Sequence, residues 1–271
     1  MVINKTYDKI IIDTLSVSAY ITGFILIGFG CAELSMDENV ITISFIILAL
    51  ASLSIVKRYV LSFVSIIIVN ASILTLILSN KGYDLIHLYV SLLALALTLF
   101  LLQEAKIITG IRALAFRYKP IRIGLVVSLL SGLIFLGKKG ISPITPEYIW
   151  LSSVVIIALI IYLVSKILPV FNIKETWHKV SIFGITVLLL LPTVLSPAIS
   201  GAMLLILLSF LINYKTGIVL GVIAFIYFII QYYYDLNFTL LTKSILLFFS
   251  GVLFLLLYFF TYKKLGANEK I

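Results

Sequence analysis

The sequence predicts an all-α, polytopic integral membrane helix bundle with about ten transmembrane helices. Three observations predict it. Hydrophobic residues make up 62% of the 271 and charged residues only 11%, against the roughly 45–50% and about 25% of a soluble domain. A soluble chain of this length has no interior large enough for that apolar excess. The polar residues divide the chain into apolar stretches of about twenty residues, the length that crosses hydrocarbon. Finally, runs such as Val155 to Val164 and Leu246 to Phe260 are apolar at nearly every position. A membrane β-barrel would instead alternate apolar and polar residues, and a helix is the other way to pair every backbone group in lipid.

Ten segments follow, within one transmembrane domain, 1–271: about 15–32, 40–56, 59–79, 84–103, 121–137, 147–168, 180–195, 197–213, 215–234 and 240–262. The first is preceded by Lys5 and Lys9, as a signal peptide would be, and Gly30-Cys31 loosely matches a lipoprotein cleavage site. Its apolar stretch is longer than a signal core, and Gly28 and Phe29 fit a lipid-attachment motif poorly, so an uncleaved helix is expected. In the second half the connections are tight. Ser196 and Pro197 divide the seventh segment from the eighth, and residues 213–215 divide the eighth from the ninth, which predicts helical hairpins.

Orientation rests on Lys and Arg, which concentrate in cytoplasmic loops. With both termini cytoplasmic, 16 of the 20 basic residues lie inside, and only Lys81, Lys138, Lys139 and Lys243 lie outside. An odd number of spans would spoil this alternation. The net charge of +9 is scattered between spans rather than gathered on one face, which argues against a nucleic-acid partner. Membrane lipids are the expected surroundings, and the bacterial cytoplasmic membrane the expected location.

No catalytic motif is present: neither HExxH, nor a Walker loop, nor a Gly-rich dinucleotide fingerprint. The expectation is a non-enzyme without cofactor or metal. His87 and His178 fall on opposite sides of the membrane and read as interface polar groups, and the lone Cys31 excludes an internal disulfide. Glu33, Asp37 and Glu38 form an acidic outer loop, of which Glu33 is the candidate worth keeping. The basic connection from Gln103 to Arg122 mixes Ile107, Ile108, Ile111, Leu114 and Phe116 with cations. It suits either an amphipathic helix on the anionic leaflet or an ordinary positive-inside loop.

Two intramembrane or interfacial sites stand out. Asn70, in the middle of the third span, is the deepest strongly polar side chain, and an interhelical hydrogen bond is the expected use of such an amide. Pro192, Pro197 and Gly201 read as a kink and a turn before they read as a broken-helix binding site. The second site is the outer-face turn between the ninth and tenth spans, with Tyr234, Asp235, Asn237, Thr239 and Lys243. Lys243 lies one turn inside the last helix at its positive end, where neither the dipole nor the orientation rule favours it. A pairing with Asp235 is expected.

That turn, the Thr239-Leu240-Leu241-Thr242-Lys243-Ser244 lead-in to the last helix, Gly251 and the upstream Pro197-Ala198-Ile199-Ser200-Gly201-Ala202 carry a resemblance. Residues 190 to 262 resemble the C-terminal part of a bacterial family known as domain of unknown function 4401. The resemblance implies a polytopic fold and partners among other membrane proteins of the same operon, and it brings no established activity. Two functions are therefore expected: a non-enzymatic component of a bacterial envelope membrane complex, or a secondary transporter or flippase-like carrier of an apolar or lipid-like substrate. All acids map to span ends or loops, which weighs against ion-coupled carriage of charged solutes.

Overall fold

A computed structural model describes residues 2–56, 58–110, 112–137, 149–171 and 175–235, with 241, 244–245, 248–249, 251–252 and 255. The described chain is all-helical. Its elements are α1 (Val2–Glu33), α2 (Glu38–Ile55), α3 (Tyr59–Ser79), α4 (Leu85–Leu102), α5 (Glu104–Gly110), α6 (Arg112–Gly137), α7 (Ile149–Val170), α8 (Thr176–Leu190), a 3₁₀ turn over Leu191–Leu195, α9 (Pro197–Leu211) and α10 (Lys215–Asp235). Among the described residues eight helices are long and apolar enough to cross a membrane: α1, α2, α3, α4, α6, α7, α8 continued through the 3₁₀ turn, and α10. The protein is a multi-pass membrane protein. Most of the expected tenth span, 240–262, lies outside the described residues.

Local chemistry explains where the helices start and stop. Asp37 caps α2 by accepting from the Asn39 backbone N–H at 2.8 Å, which satisfies one donor that the first turn leaves open. The acidic outer loop thus has a structural use for one of its carboxylates. Left-handed residues close the tight connections: Ser35 after α1, Lys81 after α3 and Asn213 between α9 and α10. Pro192 and Pro197, each lacking an amide hydrogen, mark the break between α8 and α9, and the chain passes it as a 3₁₀ turn rather than as a simple loop.

α6 begins at Arg112, ahead of the expected start at 121, and carries Pro120 inside it. The basic connection is accordingly helical, as α5 followed by the first turns of α6. Ile107 packs against the core, whereas Ile108 and Phe116 face outward. Ile111 lies outside the described residues.

The chain divides into two compact units, 1–228 and 229–271. In the first, α4, α6, α7 and α9 meet along a filled interior, where Leu97, Leu129, Leu133, Ile156, Ile160 and Leu205 are at most 1% exposed. Burial at this density makes the interior close-packed and leaves each methylene in contact with others. α3 packs against both α6 and α2. α1 is peripheral. None of its best apolar window is buried, against 56% for α4, and it is held by contacts such as the Tyr20–Ser65 hydrogen bond of 2.8 Å and the Asp13–Arg58 ion pair.

The helix ends sort into two groups. At one end Arg117 of α6 donates to the Val56 and Ser54 carbonyls at the end of α2, at 3.0 and 2.5 Å, and Tyr214 before α10 lies near Tyr59 at the start of α3. At the other end the Asn39 and Asn80 amides hydrogen-bond each other at 2.7 and 3.3 Å, and His87 of α4 meets Ser152 of α7 at 2.9 Å. α2 and α3 therefore run in opposite directions. In the second unit the described residues complete α10 as far as Asp235, and those beyond 240 are helical.

Candidate functional site

Asn70 is buried on α3 with both ends of its amide engaged. Its Nδ2 donates to the Ile66 carbonyl at 2.9 Å, within its own helix, and its Oδ1 accepts from the Tyr89 hydroxyl of α4 at 3.3 Å. The amide therefore ties two helices together and has its hydrogen-bonding capacity directed at protein.

Of the outer-turn residues, Tyr234 and Asp235 end α10 and belong to the second unit. Asp235 accepts from Gln231 Nε2 at 3.0 Å, one turn back, and the Tyr233 and Tyr234 rings meet edge to face at 5.7 Å. Asn237, Thr239 and Lys243 lie outside the described residues, and so does the expected Asp235–Lys243 pairing.

The two histidines differ. His178 is exposed and pairs with Glu175 one turn earlier at 2.7 Å, which suits an interface group. His87 does not fit that expectation. It is 1% exposed, buried between α4 and α7, with Nδ1 on Ser152 and with Nε2 making no hydrogen bond among the described residues. The reason is register: His87 shares a helix face with Val90, Ser91 and Ala94, which all point into the core. Among the described residues no group of three or more His, Cys, Asp or Glu is placed to hold a metal ion.

The most developed polar cluster was not expected as a unit. At the end of the bundle where Arg117 caps α2, the Arg122 guanidinium of α6 lies over the Tyr214 ring at 3.9 Å and 5.5 Å from the centre of the Tyr118 ring. Glu104 of α5 approaches Arg122 Nη1 at 3.7 Å. Tyr118 is 2% exposed, and its hydroxyl lies in the field of both Glu104 and Arg122 while making no hydrogen bond of ordinary geometry. Burial pushes the Tyr214 phenol pKa up, with the Arg122 charge working in the opposite direction. Three connections that are far apart in sequence are thereby joined: α4–α5, the start of α6, and the α9–α10 turn. The sequence carried one hint of this. Arg122 follows Pro120 and stands among Ile121, Ile123 and Gly124, a charge inside an apolar continuation of the helix rather than in a loop.

No curated protein and no solved structure matches the chain in comparisons of sequence and of fold. A family model does, that of the Domain of unknown function (DUF4401), and it matches residues 1–264. The match takes in the N-terminal spans together with the residues from 190 onward that carry the resemblance. With nearly its whole length inside that match, the chain belongs to the DUF4401 family.

Proposed function

We propose that this protein is a non-enzymatic component of a bacterial cytoplasmic-membrane assembly, with both termini in the cytoplasm and its outer helices facing lipid or neighbouring membrane proteins. The observation that supports this reading is the use made of polar side chains. Asn70 with Tyr89, His87 with Ser152, Tyr20 with Ser65 and Asn39 with Asn80 each join two helices. Hydroxyls such as Ser91, Thr98 and Thr193 close onto their own helix backbone. Polar groups arranged in this way hold a bundle together.

A carrier for an apolar or lipid-like substrate is the competing reading, and the interruption of α8 before α9 is the feature that favours it, because carriers place substrate at broken helices. There, however, Thr193 donates to the Leu190 carbonyl at 2.7 Å and Ser200 to that of Pro197 at 3.1 Å, so these hydroxyls serve the turn itself. The deciding experiment is affinity purification in a mild detergent with identification of everything that co-purifies. A membrane protein recovered in fixed stoichiometry is the expected result. A lone protein that carries a small molecule, and moves it across proteoliposomes, would replace this reading with the carrier.

A further inference from the structure

We propose that Arg122 is the centre of a site for a single phosphate group at the basic end of the bundle, supplied by an anionic lipid headgroup or by free phosphate. A guanidinium carries five N–H donors in a planar fork. Here Glu104 approaches Nη1 at 3.7 Å, beyond hydrogen-bond distance, the Tyr118 and Tyr214 hydroxyls lie within reach of the guanidinium, and Nε makes no hydrogen bond among the described residues. The side chain is nevertheless largely enclosed, at 17% exposure. A largely enclosed guanidinium with one loosely placed carboxylate and an unpartnered Nε is costly unless another anion completes its charge.

Tyr214 covers the flat face of the guanidinium at 3.9 Å, which fixes the plane and leaves the edge as the hydrogen-bonding direction. That edge matches two oxygens of a phosphate in bidentate geometry. Two exposed cations belong to the same elements: Lys119, one turn before Arg122 on α6, and Lys215, which directly follows Tyr214. Against these three positive charges stands one carboxylate, Glu104, so the local balance favours an added anion. The site also lies where α6 passes into its apolar span, Leu114–Gly137, which is the depth at which headgroups meet helices.

The test uses the full-length protein in neutral detergent. Native mass spectrometry measures binding of phosphatidylglycerol against a diacylglycerol of the same chains, and thermal unfolding measures stabilisation by inorganic phosphate. Arg122→Gln is expected to weaken phosphate-dependent binding by about tenfold or more, the scale of one lost bidentate charge-assisted contact. Glu104→Gln, which removes the competing carboxylate and keeps the cation, is expected to tighten it. Phosphatidylglycerol binding without an effect of inorganic phosphate assigns the site to lipid; an Arg122-dependent effect of inorganic phosphate assigns it to the free ion. Diacylglycerol bound as tightly as phosphatidylglycerol with no effect of phosphate, or binding unchanged in Arg122→Gln, overturns the proposal. Should Arg122→Gln fail to fold, Glu104→Gln decides: binding that is weaker or unchanged overturns it.

Discussion

Replacing Tyr89 by Phe removes only the hydroxyl, which is shared between Asn70 Oδ1 at 3.3 Å and the Asn70 backbone carbonyl at 3.4 Å. The expected loss is about 0.6–1.7 kcal/mol, the range of interhelical hydrogen bonds in membranes, because the unfolded helices also find partners for their polar groups. Denaturant titration in detergent measures it, and Tyr89→Phe should cost less once Asn70→Leu is in place, where only the backbone carbonyl of residue 70, at 3.4 Å, is left to accept. Full additivity would mean that the two side chains act separately. Arg117→Met tests a different contact. Its guanidinium satisfies the Val56 and Ser54 carbonyls at the end of α2 and places a positive charge at the negative end of that helix dipole. Hydrogen exchange should rise in the last turn of α2 while the core of α4 stays protected, whereas a uniform rise would show a global effect. Asn70 was legible in the sequence because an amide amid isoleucines and valines has few other uses. The Arg122 cluster was not, because nothing in linear order says that Tyr214, more than ninety residues away in the sequence, will lie flat against its guanidinium. His87 departs from expectation for a related reason: a residue near a span end reads as interfacial from sequence, and its burial against Ser152 depends on which helix its face meets.

Helix ends are legible where charges bound an apolar run and not where a helix continues through a basic stretch. The third span, 59–79, was legible to the residue, since charges bound it on both sides. The start of α6 was not, because its first turns carry Arg117, Lys119 and Pro120, which mark a loop by composition yet suit a helix lying at an interface. Glycines give this scale its sharpest test. At Gly201 of α9 an added Cβ would come within 2.5 Å of Leu133, itself fully buried on α6 and unable to swing away. Gly201→Ala should therefore destabilise the protein by about 1–3 kcal/mol, as overpacking does in close-packed interiors. Gly23 of α1 has nothing within 4 Å of that position. Gly23→Ala should leave thermal stability unchanged or raise it slightly, since alanine is the better helix former. A comparable loss from both would mean that α1 is packed as tightly as α9.

For the whole molecule, the class of fold was legible from composition alone, whereas the order of packing was not, because every span is apolar on all sides and periodicity cannot say which face meets which. The 16-to-4 division of basic residues sets the expected sidedness. Cysteines introduced at residues 36 and 268 in a Cys31→Ser background should react with an impermeant reagent from opposite sides of the membrane, and labelling of both from one side would overturn the topology with both termini inside. The short helix α9 bears on how the chain reaches that arrangement. Its 15 residues rise only about 22 Å, less than the roughly 30 Å of hydrocarbon, yet it contributes Ala202, Leu204, Leu205 and Leu208, none of them exposed. A segment that short is a poor candidate to leave the insertion machinery by itself. It needs α4, α6 and α7 already in place to receive it, so biogenesis has an order: the early spans form a waiting cleft, and the late hairpin closes it. Ribosome-stalled chains ending before residue 197 should then be the species that membrane quality-control proteases recognise, and chains reaching past α10 should escape them.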